Sequence, residues 1–117
     1  MLSLPLNTSI YLCVGPVDLR KSFDGLSGLV ESEFQRNLLD GHLFLFLNKR
    51  RDRLKALWWE RDGLTIWYKR LERGTFEMPT FAEGAAHLTL DATDLAMLLG
   101  GVSLATARRR KRYARAS

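Results

Sequence analysis

The chain contains a single cysteine, Cys13, and two histidines, His42 and His87. One thiol forms no internal disulfide and anchors no cysteine-based zinc site, so neither cross-links nor a thiolate cluster hold the fold. A hydrolytic triad needs a histidine beside a nucleophile, and neither histidine has a motif around it. His42 heads an apolar run, where a strand-edge residue bonded to backbone is the expected role, and His87 precedes a helical pattern. No Gly-rich loop ending in Gly-Lys-Ser/Thr, zinc-deaminase signature or paired-histidine motif occurs. Long apolar runs are also lacking. Residues 1–17 carry no charge but are broken by Pro5, Asn7, Thr8, Ser9 and Pro16 and have no basic leader. They fit neither a signal peptide nor a membrane span, which predicts a cytoplasmic protein with no membrane partner.

What is present fits one globular unit. A chain of 117 residues buries roughly two thirds of the surface it exposes when unfolded. A hydrophobic share of 46% and a charged share of 26% exclude a largely disordered or collagenous chain.

Positive charge is unevenly spread. The net charge is +5, from 18 Lys and Arg against 13 Asp and Glu. Arg108, Arg109, Arg110, Lys111, Arg112 and Arg115 have no acid among them, so residues 1–107 hold 12 bases and 13 acids. The body is nearly neutral and the end of the chain is not. A run of like charges stays solvated, which predicts a domain over residues 1–101 and a flexible basic tail over 102–117. Such a tail suits contact with nucleic acid, with plain solubilisation as the alternative.

Ile10 to Val14, closed by Gly15 and Pro16, reads as a strand and turn. From Leu19 to about Arg36, Phe23, Leu26, Val30 and Phe34 recur at helical spacing, with Asp18 as the expected cap. Gly25 and Gly28 interrupt this long helix at about 1 kcal/mol each, which points to close approach to a sheet. Leu39, Asp40 and Gly41 form a turn, and Leu43 to Leu47 is apolar on both faces, as a central strand requires. Arg53 to Trp59 and Leu64 to Lys69 come next as extended segments joined by Glu60, Arg61, Asp62 and Gly63. A two-residue turn at Asp62 and Gly63 and a four-residue loop from Glu60 to Gly63 place opposite partners differently, so the register stays open. A loop is expected from Met78 to Ala86, then a short C-terminal helix capped at Thr89, with Asp91 and Asp94 at its positive end and Gly100 closing it. The expected fold is α+β: an antiparallel sheet of three to five strands with a central meander, packed against one long helix.

In such a meander the turn before the middle strand and the far end of the third strand share one edge. Lys49, Arg50, Arg51 and Arg53 should therefore meet Lys69, Arg70 and Arg73, with Asp52 and Glu72 offsetting them in part. Clustered cations are the footprint of phosphate binding, and an ordinary solvated rim of ion pairs is the alternative. Trp58 and Trp59 point to opposite faces, and core packing is their ordinary role, with base stacking as the other option. Gly25-Leu26-Ser27-Gly28 matches a GxxG clamp only formally, because it lies inside a helical pattern. Asp18, Asp24, Asp40 and Asp94 show no metal-ligand spacing. No cofactor, metal or catalytic residue is expected.

Four strings carry a resemblance: Gly15-Pro16-Val17-Asp18-Leu19-Arg20-Lys21-Ser22-Phe23-Asp24-Gly25-Leu26; Gly41-His42-Leu43-Phe44-Leu45-Phe46; Arg50-Arg51-Asp52-Arg53-Leu54-Lys55; and Trp67-Tyr68-Lys69-Arg70-Leu71-Glu72-Arg73-Gly74. From about Pro5 to Gly100 the chain resembles the TnpB-type accessory protein, the second reading frame of bacterial insertion sequences of the IS-sixty-six (IS66) group. Leu47, Glu77-Met78 and the stretch after Gly101 depart from that pattern. The resemblance implies a role in DNA transposition beside a separate transposase that holds the catalytic acids, with the transposase and another transposon-encoded protein as partners. It carries over no site residues. Combined with the charge pattern, it leads to the expectation of a non-catalytic subunit that binds DNA phosphates. The alternative is a scaffold that contacts the transposase through an exposed aromatic sheet face and never touches DNA.

Overall fold

A computed structural model describes residues 8–100. The tail, including Arg108, Arg109, Arg110, Lys111, Arg112 and Arg115, lies outside the described residues. The sequence LFLFL of Leu43–Leu47 has no polar face, and all five residues are buried. This strand, β2, therefore needs cover on both sides and lies third of five. With β1 (Ile10–Cys13), β3 (Arg53–Glu60), β4 (Gly63–Arg70) and β5 (His87–Leu90), the sheet order is β4-β3-β2-β1-β5.

β2, β3 and β4 form the expected antiparallel meander. The sheet as a whole is mixed, which corrects the antiparallel expectation: β1 runs parallel to β2, with Ile10 opposite Leu43. A helical crossover joins the two strands and returns the chain to the end where β1 began, and that connection permits parallel pairing. Apolar spacing encodes burial but not strand direction. β5 was expected as loop and helix start. It pairs antiparallel to β1 instead, with Cys13 opposite His87 and Thr89 opposite Tyr11.

There is no long helix among the described residues, a second correction. The helix α1 covers only Phe23–Leu29 and continues as a wider π-helical turn, Val30–Phe34. It starts late because the Asp18 carboxylate accepts from the Arg20 backbone N–H (3.0 Å) and guanidinium and caps no helix. Leu19 is buried outside the helix. Gln35, at φ +54°, ends the π turn. That turn still delivers Phe34 to the core against Tyr11, Phe44 and Phe46, which is why the helical spacing runs on in the sequence.

The two faces of the sheet carry separate cores. On one, Leu26, Val30 and Phe34 cover Tyr11, Phe44, Phe46 and Leu57. On the other, Leu95, Leu98 and Phe76 cover Leu12, Leu45, Leu47 and Leu54, with Trp58 and Trp67 packed alongside. The second helix, α2, spans Ala92–Leu99, so its cap is Asp91 and not Thr89. The Asp94 N–H donates to the Asp91 carboxylate (2.7 Å) and the Asp91 N–H to the Asp94 carboxylate (3.3 Å), closing two free donors reciprocally. His42 behaves as an edge residue, its Nδ1 accepting from the Ser9 N–H at 3.2 Å. None of the helices among the described residues is long and apolar enough to cross a membrane.

The β3–β4 register is the one that the four-residue loop from Glu60 to Gly63 sets, with Trp59 opposite Leu64, and the pairing runs one step further into that loop. Glu60 lies opposite Gly63, so Arg61 and Asp62 make the turn. Arg61 sits at φ +58°, a left-handed conformation that costs a side-chain-bearing residue roughly 1–2 kcal/mol. Arg61→Gly should stabilise the fold by about 0.5–1 kcal/mol after the entropic cost of glycine. A chemical denaturation midpoint that falls in this variant contradicts the assignment of the turn.

Candidate nucleic-acid interface

The turn between β2 and β3 places three cations in succession, Lys49, Arg50 and Arg51, and like charges need an organiser to hold them together. Asn48 supplies it. Its side-chain oxygen accepts from the N–H groups of Asp52 (3.1 Å) and Arg53 (3.0 Å), and its amide donates to the Asp52 carboxylate (2.7 Å). The Arg51 N–H closes the turn on the Asn48 carbonyl at 3.1 Å, with Arg51 itself left-handed at φ +60°. Lys49, Arg50 and Arg51 are all exposed.

The end of β4 reaches the same edge. Arg53 and Arg70 are register partners, the Leu71 N–H donates to the Asp52 carbonyl (2.7 Å), and the Phe76 N–H donates to the Arg51 carbonyl (2.6 Å). Lys49, Arg50, Arg51 and Arg53 are thereby gathered with Arg70 and Arg73 at one end of the sheet. Arg70 pairs with Glu72 at 2.9 Å, an exposed contact of small energetic weight.

Lys69 belongs elsewhere, a correction to the expected cluster. Strand alternation turns it to the α2 side with Leu54 and Trp67, and its Nζ donates to the Leu99 carbonyl at 3.2 Å. There it meets the negative end of the α2 dipole. The chain leaves α2 at Gly100, beside that bond.

Sequence reasoning missed a second wall. The Val17 N–H donates to the Leu47 carbonyl (2.9 Å), which lays Pro16–Arg20 alongside the basic turn. Between them runs a groove of ≈ 600 Å³ lined by Asp18, Arg20, Asn48, Lys49, Arg50, Asp52, Arg53 and Tyr68, among others. Arg20 stands in the first of the resemblance strings, but only the parallel β1–β2 pairing brings it to the same groove as Arg50. Two carboxylates share the groove. Hydrogen bonds from Arg20, with an Nη2–Oδ2 contact of 2.6 Å, hold Asp18 well below the usual carboxylate range. The Asn48 side chain, reinforced by Arg50 and Arg53, lowers Asp52. Four cations thus face two ionised acids, and the excess is positive. Among the described residues, no group of three or more His, Cys, Asp or Glu is placed to hold a metal ion.

Residues 8–109 match the family described as IS66 Orf2 like protein. The chain belongs to this family. Among its relatives, the uncharacterized protein y4hO of Sinorhizobium fredii (strain NBRC 101917 / NGR234) is 34% identical over 102 residues, covering 87% of each chain. The uncharacterized protein y4jC of the same organism is 32% identical over 101 residues, covering 86% of this chain and 85% of that one. No solved structure matches the chain significantly. Membership of the IS66 Orf2-like family assigns an accessory role in transposition and an association with transposon components, and the family is not a known catalytic one.

The Asp18–Arg20 pair has a pH signature. The folded-state pKa of Asp18 lies below the ordinary value of about 3.9. Its contribution is therefore complete at neutral pH and is lost as pH falls through the acid range below that value. In an NMR titration, Asp18 should ionise at lower pH than an unpaired aspartate, and Arg20→Ala should return it toward about 3.9. An unshifted titration in that variant contradicts the pairing.

Proposed function

We propose that this protein is a non-catalytic subunit of a transposition complex that binds DNA through its phosphates. The reading is supported by one observation above all: Arg53 lies opposite Arg70, and the Leu71 and Phe76 N–H groups bond to Asp52 and Arg51, so the turn that carries Lys49, Arg50 and Arg51 and the segment that carries Arg70 and Arg73 share one edge. Arg20 adds to them across the groove. Phosphate neutralisation releases condensed counterions and needs no base reading, so exposed side chains on a defined turn suffice. The tail cations Arg108, Arg109, Arg110, Lys111, Arg112 and Arg115 add six positive charges with no acid among them. Lys69 contributes by fastening the end of α2, where the chain leads on toward those residues, to β4. The scaffold reading has less support, because Trp58, Trp59 and Trp67 are half-buried and the exposed aromatic beside them, Tyr68, stands among the cations of the groove.

Salt dependence tests the proposal. The full chain should bind duplex DNA at low salt, with log affinity falling linearly against log salt. Deleting residues 108–117 should flatten that slope by up to about 5, and Lys49→Gln with Arg50→Gln by about 2. Both side chains are exposed, so the double variant should keep its fold. Absence of binding at low salt, together with co-purification with a transposase, overturns DNA contact in favour of scaffolding.

A further inference from the structure

We infer that the groove between Pro16–Arg20 and Asn48–Arg53 seats an unpaired nucleotide of a single strand, its base stacked on Tyr68 and its phosphate against the arginines. This deepens the phosphate-binding reading and rests on it. Tyr68 is the aromatic residue of β3 and β4 that stays open, 48% exposed, where Trp58, Trp59 and Trp67 are half-buried. It lines the groove beside Arg50 and Arg53.

The ring is held in place from two sides. Its hydroxyl accepts from Arg53 Nη1 at 3.2 Å, and Lys55 Nζ lies 5.0 Å from the ring centroid. Lys55 is itself anchored, donating to the Lys21 carbonyl at 2.9 Å. An exposed tyrosine fixed by two cations is a preorganised platform, because little side-chain freedom remains to be lost when a base settles on it. Base–aromatic stacking tolerates any base, since every base has a π face, and fits a protein that selects phosphates without reading sequence.

Three features favour a nucleotide over a bare phosphate or a duplex. A volume of ≈ 600 Å³ lies within the range of about 300–1,000 Å³ that accommodates a small organic ligand, far more than a phosphate fills. The groove also holds both signs, with Asp18 and Asp52 as acceptors among the cations, which matches a ligand that has base amino groups as well as an anionic linkage. In a duplex both faces of each base are taken by its neighbours, so the Tyr68 ring finds a partner only on an unstacked strand.

Full-length protein is titrated by fluorescence anisotropy with labelled oligothymidylate, oligouridylate and a duplex of equal length. Tyr68→Leu should weaken strand binding by at least about five-fold more than it weakens duplex binding, where only the hydroxyl bond that holds Arg53 is lost. Tyr68→Trp, which keeps a stacking surface, should hold strand affinity at or above that of the parent. A loss shared by both oligonucleotides identifies the unpaired base as the recognised unit, and a loss confined to oligothymidylate identifies a DNA strand. Equal loss for strand and duplex, no loss for either, or a Trp variant as weak as the Leu variant overturns the stacking site and leaves phosphate binding standing. Failure of the parent to bind any of the three at low salt removes both readings.

Discussion

The fold is governed by the need to cover a strand that has no polar side. Leu43–Leu47 is fully buried, and each of its faces must meet an apolar layer. The chain meets that demand with short elements. Seven residues of α1 and the π turn after it serve one face, while α2 and the Phe76 segment serve the other. Burial of apolar surface is the dominant favourable term in the folding of such a domain.

Short covers leave an edge of the sheet bare, and the functional chemistry collects there. β3 and β4 extend beyond α1, so their odd and even partners Arg53, Lys55, Tyr68 and Arg70 end on an open face while Leu57 and Ile66 on the same face remain in the core. Polarity thus changes along the strands rather than across them. The Asn48 hydrogen bonds then turn a flexible run of cations into a fixed one, and ionised Asp18 and Asp52 keep the positive field local. A fixed site of this kind loses less freedom on binding than a mobile one.

Much of this was legible in the residues, for reasons that also explain the failures. The meander could be read because its turns are local and its strands are long, and Leu43–Leu47 announced a central position by lacking a polar face. The meeting of Arg53 with Arg70 came from the same geometry. Lys69 is misplaced in the expected cluster because the meander's shared edge fixes which end of the sheet a residue occupies but not which face, and alternation sends Lys69 and Arg70 to opposite faces. β5 escaped notice since four residues, His87–Leu90, carry too little periodicity and pair with Cys13 and its neighbours far away along the chain. The helix was overextended because Phe34 keeps its buried phase through a turn of different width. Arg20 could be joined to the groove only once β1 was known to lie beside β2, a non-local fact that composition does not contain.

The π turn at Val30–Phe34 has a consequence for how this chain can vary. Such a turn is an α-helix with one residue inserted. Glu31, Ser32 and Glu33 point to solvent and pack against nothing in the core, so their identities are free to drift. Their number can also fall by one. Removing any one of them sets Phe34 three residues after Val30, and ordinary helical winding at roughly 100° per residue keeps that spacing on one face, so Phe34 stays turned toward Tyr11, Phe44 and Phe46. Along these three positions, divergence is open to replacement and to a single deletion that turns the π turn into plain helix.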